Sequence, residues 1–308
     1  MTDTKELSRR RFLSAVASVA AGSCLPLSGA AILAGESTPA LAQYSHVGAS
    51  GESPVTSLII VSNPGYRLLI DSTNGSIASI QSTFGIDREL LIPNHTDLPL
   101  FKIELMDGYS SFKTVTSSQA ESIHIQKDGD EKEQTVIIDF KGIGNPPIDA
   151  RVTVRCPMNE TLTYWNLELD NGTKSWIAHV QFPVIRVPFD NSIDGYSSHI
   201  LAPFADGILA GPVEPSMAAS SWGGRERNTP EKWRYNNYPG QWASTQLQAY
   251  YNDAGGLYLA CDDAAGLPKF IGPLMEDDGV TMGLGHYPGT QGPGKTRLPY
   301  NVVLGTFQ

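Results

Sequence analysis

Cysteine is nearly absent from this chain: three occur in 308 residues, and beyond residue 42 only Cys156 and Cys261 remain. Two thiols so far apart exclude a disulfide scaffold, and without histidines at ligand spacing they build no metal centre. Neither a metal nor another cofactor is therefore expected. Basic residues are also few, with 22 Lys and Arg against 32 Asp and Glu and a net charge of −10. Residues 1–42 hold four of the basic and three of the acidic side chains, so the remainder carries 18 against 29, or −11. A field of that sign repels phosphate backbones and anionic lipid heads, which argues against nucleic acid and membrane surfaces as partners and leaves neutral ligands such as sugars. Helical periodicity is missing as well, since no segment beyond residue 42 repeats its apolar residues at helical spacing.

The long uncharged stretch lies at the start. Ser8-Arg9-Arg10-Arg11-Phe12-Leu13 sets paired arginines before an apolar residue, Phe12 to Leu33 carries no charge, and Ala40-Leu41-Ala42 supplies the small residues of a cleavage site. This is the pattern of a twin-arginine export signal, with residues 1–42 removed and Gln43 as the new N-terminus. Gly22, Pro26 and Gly29 break the stretch too often for a stable membrane span. Ala21-Gly22-Ser23 lacks the Leu that lipoprotein cleavage before Cys24 would need. The expected address is periplasmic or extracellular. Residues 43–56, rich in Ser, Gly and Ala, read as a flexible leader, and 57–308 as one large domain.

Within that domain the dominant period is two. Ile148, Ala150, Val152, Val154 and Cys156 alternate with Asp149, Arg151, Thr153 and Arg155, the signature of a strand with one buried and one solvated face. Thr161 to Leu169 repeats the pattern, with Trp165, Leu167 and Leu169 opposite Tyr164, Asn166 and Glu168. Asn171-Gly172 then reads as a hairpin turn into a return strand over Ser175–Phe182. Asn74-Gly75 reads likewise between Tyr66–Asp71 and Ser76–Ile80. Further strands are expected at 57–61, 99–106, 121–127, 134–140, 245–251, 256–261 and 300–306. The fold class is all-β, a large antiparallel β-sandwich.

Between Ile200 and Ala243 the rhythm stops. Ten Pro and Gly residues, from Pro203 to Gly240, mark a connection long enough to suggest function. Trp222, Trp233, Tyr235, Tyr238 and Trp242 are interleaved there with Arg225, Arg234 and other polar residues. Sugar rings offer apolar C–H faces to aromatic planes and hydroxyls to Arg, Asn and Glu. The candidate carbohydrate contacts are therefore Trp222, Arg225, Trp233, Arg234, Tyr235, Tyr238 and Trp242. The competing reading is a small core of tryptophans buried under the loop.

Other motifs carry less. Gly289-Thr290-Gln291-Gly292-Pro293-Gly294-Lys295-Thr296 matches a phosphate loop, but Pro299 and a strand follow where a helix is required, so it reads as a surface loop. His124 and His179, with a carboxylate such as Glu168 or Glu276, could form an acid/base pair. The spacing does not demand it, and a solvated sheet face is the plainer reading, with His179 beside Ile177 and Gln181. Asp262-Asp263 and Glu276-Asp277-Asp278 fall outside the calcium-loop frame and read as turns.

Several segments taken in order resemble a known family. The Leu68–Asp71 to Asn74–Ile77 hairpin, the Trp165–Asn171 strand with its Phe182-Pro183 exit, Tyr238-Pro239-Gly240 before Gln246–Tyr251, and Gly255–Ala260 before Asp262-Asp263 are similar to the galactose-mutarotase-like β-supersandwich domains that precede the catalytic barrel of many glycoside hydrolases. The resemblance covers about residues 58–308. In such enzymes a strand like Pro299–Phe307 leads into the barrel that holds the catalytic carboxylates. This sequence ends at Gln308, so the resemblance implies the sandwich without hydrolytic residues, acting as a carbohydrate-recognition or accessory part, with a separate barrel as a possible partner. The rival expectations are a free-standing aldose epimerase, which would use a His and a Glu, and a structural envelope protein without a ligand. Replacing Arg9 and Arg10 by Lys should leave unprocessed precursor in the cytoplasm, read by cell fractionation; processed protein outside would contradict the export signal.

Overall fold

The computed structural model describes residues 58–84, 88–91, 98–107, 111–189, 197–203, 207–213, 236–240, 243–276, 278–288 and 292–308. Strands account for nearly all of the regular structure there, with one 3₁₀ turn at Ser117–Gln119. β1 (Leu58–Ser62), β2 (Tyr66–Asp71), β3 (Ile77–Ser82) and β4 (Arg88–Glu89) pair in chain order as a four-stranded antiparallel sheet. β5 (Lys102–Asp107) and β6 (Ser111–Thr116) open a second sheet, while β7 (Ser122–Gly129), β8 (Glu133–Ile143), β9 (Ile148–Pro157) and β10 (Leu162–Asn171) form a meander in a third. The chain then alternates between these two. β11 (Trp176–Gln181) and β12 (Arg186–Pro188) join the second, β13 (His199–Ala202) and β14 (Ile208–Ala210) the third, and β15 (Asn236–Tyr238) the second. β16 (Leu247–Asn252) and β17 (Gly255–Asp262) lie in the third, β18 (Lys269–Met275) and β19 (Gly279–His286) in the second, β20 (Gly294–Arg297) and β21 (Asn301–Phe307) in the third. The second sheet has seven strands, ordered β15-β18-β19-β11-β5-β6 with β12 on β19, and the third has ten, ordered β14-β13-β16-β17-β21-β10-β9-β8-β7 with β20 on β10.

The core follows from the alternation. Val152, Val154, Trp165, Leu167, Leu257, Leu259, Val302 and Leu304 line the inner face of the ten-stranded sheet, and Ile103, Leu105, Val180, Ile271, Met282 and Leu284 belong to the same buried cluster from the seven-stranded one. Trp165 meets Phe182 edge-on at 6.4 Å, joining the layers. The four-stranded sheet adds Leu68, Ile70 and Ile80 to this cluster, and Thr306 Oγ1 donates to the Gly65 carbonyl at 2.7 Å. Cys156 and Cys261 are both free, the first buried and the second half-buried.

Two expectations hold and two change. The Asn74-Gly75 hairpin is present, with Gly75 at φ 69° and its N–H donating to Asp71 O at 2.8 Å. The inward face of β9 is as the alternation required. Asn171-Gly172, however, is no hairpin. β10 pairs with β9, β20 and β21, whereas β11 pairs with β5 and β19, so the turn carries the chain from one sheet to the other. The buried Asn171 side chain makes this possible: its Nδ2 donates to Ser175 O and Gly292 O, and its Oδ1 accepts from the N–H and hydroxyl of Thr173. Those bonds replace the ladder bonds a hairpin would supply.

The second change concerns β11. A bulge between Ile177 and His179 shifts its register against β5, so Ile177 and Val180 point inward while His179 and Gln181 share the outer face. The expected grouping of Ile177 with His179 and Gln181 is thereby corrected. Short or glycine-rich strands also went unseen: β13 enters and β14 lies inside the Pro/Gly-rich segment where the rhythm stops, and all eight residues of β19 are buried, so it shows no alternation. Asn171→Ala should cost on the order of 2–3 kcal/mol in urea unfolding, because it leaves buried carbonyls and an N–H unpaired; an unchanged midpoint would mean the crossover does not depend on that side chain.

Candidate functional site

The outer face of the seven-stranded sheet brings an acid, an imidazole and a buried amide together. On β5, Ile103 and Leu105 face the core and Lys102, Glu104 and Met106 face out. Pairing with β11 and β6 then sets three rows across the sheet: Trp176, Met106 and Phe112; His179, Glu104 and Thr114; Gln181, Lys102 and Thr116. His179 Nδ1 lies 2.6 Å from Glu104 Oε2. Beyond Gln181 the same row continues through Gly285 of β19, Phe270 of β18 and Asn237 of β15.

Phe270 shapes this face. Its ring lies over Gly285, where a Cβ would stand 1.9 Å from ring atoms, so only glycine lets the ring lie there. His179 meets Phe270 edge-on at 4.9 Å, and Tyr287 meets it from another direction at 5.6 Å. Beside them Gln181 is 1% exposed, and neither its Nε2 nor its Oε1 has a hydrogen-bond partner among the described residues. An amide buried in that condition costs about 1–3 kcal/mol per unmet group.

Beneath the sheet lies a second polar assembly, fully internal. Lys269 Nζ donates to Asp263 Oδ2 and to Leu267 O, each at 2.6 Å, and sits over the rings of Tyr300 at 4.6 Å and Tyr238 at 5.0 Å. Burial pushes the Asp263 carboxyl up, but hydrogen bonds from Lys269, Leu267 and Ala265 outweigh it, and the group is held below its ordinary range. Gln246 Nε2 donates to Tyr238 Oη and Asp263 O. His286 Nε2 lies 2.8 Å from the Phe182 carbonyl and Nδ1 2.8 Å from Tyr300 Oη. A carbonyl only accepts, so Nε2 carries the hydrogen and Nδ1 accepts from Tyr300. Burial lowers the His286 pKa to about 4, with the Phe182 bond opposing and the Lys269 charge assisting.

Of the seven sugar-contact candidates, Trp222, Arg225, Trp233, Arg234, Tyr235 and Trp242 lie outside the described residues. Tyr238 is half-buried, its ring turned to Lys269 and packed against the core. His124 is exposed on β7 of the other large sheet, and Glu276 pairs with Arg186 at 3.2 Å, so neither joins His179. The partner of His179 is Glu104, which sequence reasoning missed. Alternation over Lys102–Met106 would have put Glu104 outside, but nothing in the sequence says that β5 neighbours β11. The acid pairs do fall at the connections after β17 and between β18 and β19, and they also hold cationic side chains, Asp263 with Lys269 and Asp278 with Arg186. The Gly294–Thr296 end of the phosphate-loop match is part of β20.

No family model matches the chain, and no curated protein matches it. Solved structures do. The chain is similar to an α-N-acetylgalactosaminidase from Bifidobacterium bifidum at 13% identity, covering 81% of this chain and 36% of that one, with a TM-score of 0.57. The ligand-free form of that enzyme gives 0.55 at 11% identity over the same shares. A galactose mutarotase related enzyme from Lactobacillus acidophilus gives 0.47 at 11%, covering 82% of this chain and 98% of that one. The chain thus spans about a third of the length of the glycosidase it matches. At such identities the likeness is one of fold alone: an all-β sandwich like the part of the glycosidase that the chain covers.

The neutral His286 links the interior to pH. Its folded pKa lies below the ordinary 6.5, so its contribution to stability is complete above about pH 6.5 and lost as pH falls toward 4, by about 3 kcal/mol in all. Chemical unfolding across that window should show the loss, and His286→Gln should flatten it. An equal slope in the variant would assign the pH dependence elsewhere.

Proposed function

We propose that this chain is an exported carbohydrate-recognition domain, reached by the twin-arginine route, whose binding face is the outer surface of the seven-stranded sheet. The observation that carries the reading is Gln181: a buried amide with both ends unpaired, on the same face as the His179–Glu104 pair and beside the Phe270 ring. A sugar hydroxyl both donates and accepts, so it can meet the partly exposed His179–Glu104 pair directly, and vicinal hydroxyls would answer the ends of the amide on opening the cover over Gln181 and Phe270, each 1% exposed. The net charge of −10 favours a neutral ligand. The fold likeness to a glycosidase supports the same class of ligand and an accessory role beside a separate catalytic barrel. Trp222, Arg225, Trp233, Arg234, Tyr235 and Trp242 stand as further candidate contacts, whereas Tyr238 is engaged with Lys269 inside.

A second reading has its own support. A histidine 2.6 Å from a glutamate on an outer face is a workable acid/base pair, and an aldose epimerase needs such a pair for ring opening. Mutarotation of free aldoses that disappears in both His179→Ala and Glu104→Gln would favour it.

The recognition reading makes an unusual demand of Gln181. Gln181→Leu should abolish sugar binding in calorimetry and at the same time raise stability by about 1–3 kcal/mol, because the unmet amide is removed. Trp233→Ala and Trp242→Ala should weaken glycan retention in affinity gels without a stability loss on the order of the 3–5 kcal/mol typical of core aromatics. A wild type that binds no sugar, or a Gln181→Leu variant that binds as well as wild type, would overturn the proposal.

A further inference from the structure

The row next to His179 and Glu104 is apolar and open. Trp176 pairs with Met106 and Met106 with Phe112, so the three side chains lie side by side on β11, β5 and β6. Trp176 is 42% exposed and Phe112 56%, both counted with the exposed large apolar side chains of the described residues. None of the three is charged. The row is continuous with the polar rows: moving along β11 one passes from Trp176 to His179 to Gln181, two row steps or roughly 13 Å. The bulge at Ile177/His179 is what keeps all three on one face, since strict alternation would turn His179 and Gln181 inward with Ile177.

Resting on the carbohydrate reading above, we infer that this face takes an oligosaccharide rather than a single sugar: one residue meets Gln181 and the His179–Glu104 pair, and the next lies against the Trp176–Met106–Phe112 row. The length of the face exceeds one six-membered ring. Its order also matches the ligand's chemistry, because the hydroxyl edges of a glycan need the acid, imidazole and amide groups while its C–H faces need flat apolar area. An anionic occupant is disfavoured by the net charge and by Glu104 at the border of the row. Trp176 and Phe112 flank Met106, so two rings are available to one chain of sugars, and the unbranched Met106 can adapt between them.

The test compares ligand lengths on the intact chain. Binding of a monosaccharide, and of a ladder of oligosaccharides ending in that same sugar, is measured for wild type, Trp176→Ala, Phe112→Ala and Gln181→Leu. The two aromatic positions are exposed, so folding should survive their truncation, checked by thermal melts. In wild type, affinity should rise with the second sugar. Trp176→Ala and Phe112→Ala should each remove about three- to tenfold of the oligosaccharide affinity and leave that for the monosaccharide unchanged. Gln181→Leu should lose both. Oligosaccharide binding undiminished in Trp176→Ala, with monosaccharide binding intact in wild type, would overturn this inference and leave the recognition proposal standing. A wild type that binds neither ligand would sink both. Concentration-dependent dimerisation in sedimentation that Trp176→Ala abolishes, without a change in sugar affinity, would reassign the row to contact between copies of this chain.

Discussion

A lysine ammonium shut away from water holds the interior of this protein together. Lys269 is wholly buried, and a charge in that position costs several kcal/mol unless its geometry offsets the loss of hydration. Here Asp263 and the Leu267 carbonyl each approach to 2.6 Å, and the rings of Tyr238 and Tyr300 face the cation. These partners come from β15, from the connection after β17, and from the residue before β21. One charge therefore ties strand ends of both large sheets to a single point. Through Tyr300 the tie extends to His286, and through His286 to the Phe182 carbonyl at the end of β11.

That last link matters for the outer face. β11 presents Val180 and Gln181 to β19, with His286 opposite Val180 inside and Gly285 opposite Gln181 outside. The internal network thus fixes the strand whose other side carries His179 and Gln181. Gly285 serves both sides, completing the β19 ladder while letting Phe270 lie over its backbone. An apolar side chain at the Gln181 position would be the more stable choice, since the amide there is buried with both ends unmet among the described residues.

Much of the fold could be read from period-two alternation. β9 alternates between a buried apolar face and a wetter polar one, and β10 nearly does, because each is buried on one side only. β19 could not be read this way, since burial on both faces leaves no alternation, and β13, β14 and β15 were too short to register against the surrounding Pro and Gly. The Asn171-Gly172 dipeptide misled for a different reason: its turn chemistry was real, but the buried Asn171 side chain satisfied the backbone locally and released the next strand to another sheet. The candidate site was less legible still. Glu104 and His179 stand seventy-five positions apart, and Gln181 looks like any polar strand residue until its surroundings are known.

The sequence by itself determined the class of the fold, the alternating faces of β9 and β10, the free state of two distant cysteines and the negative net charge. All of these depend on local pattern or on totals. Tertiary structure alone decided which strands became neighbours, and with them the His179–Glu104 pair, the Trp176–Met106–Phe112 row and the burial of Lys269. Strand pairing joins residues with no local relation, and a single bulge at Ile177/His179 reverses which side chains face out, so the site exists only once the register is set.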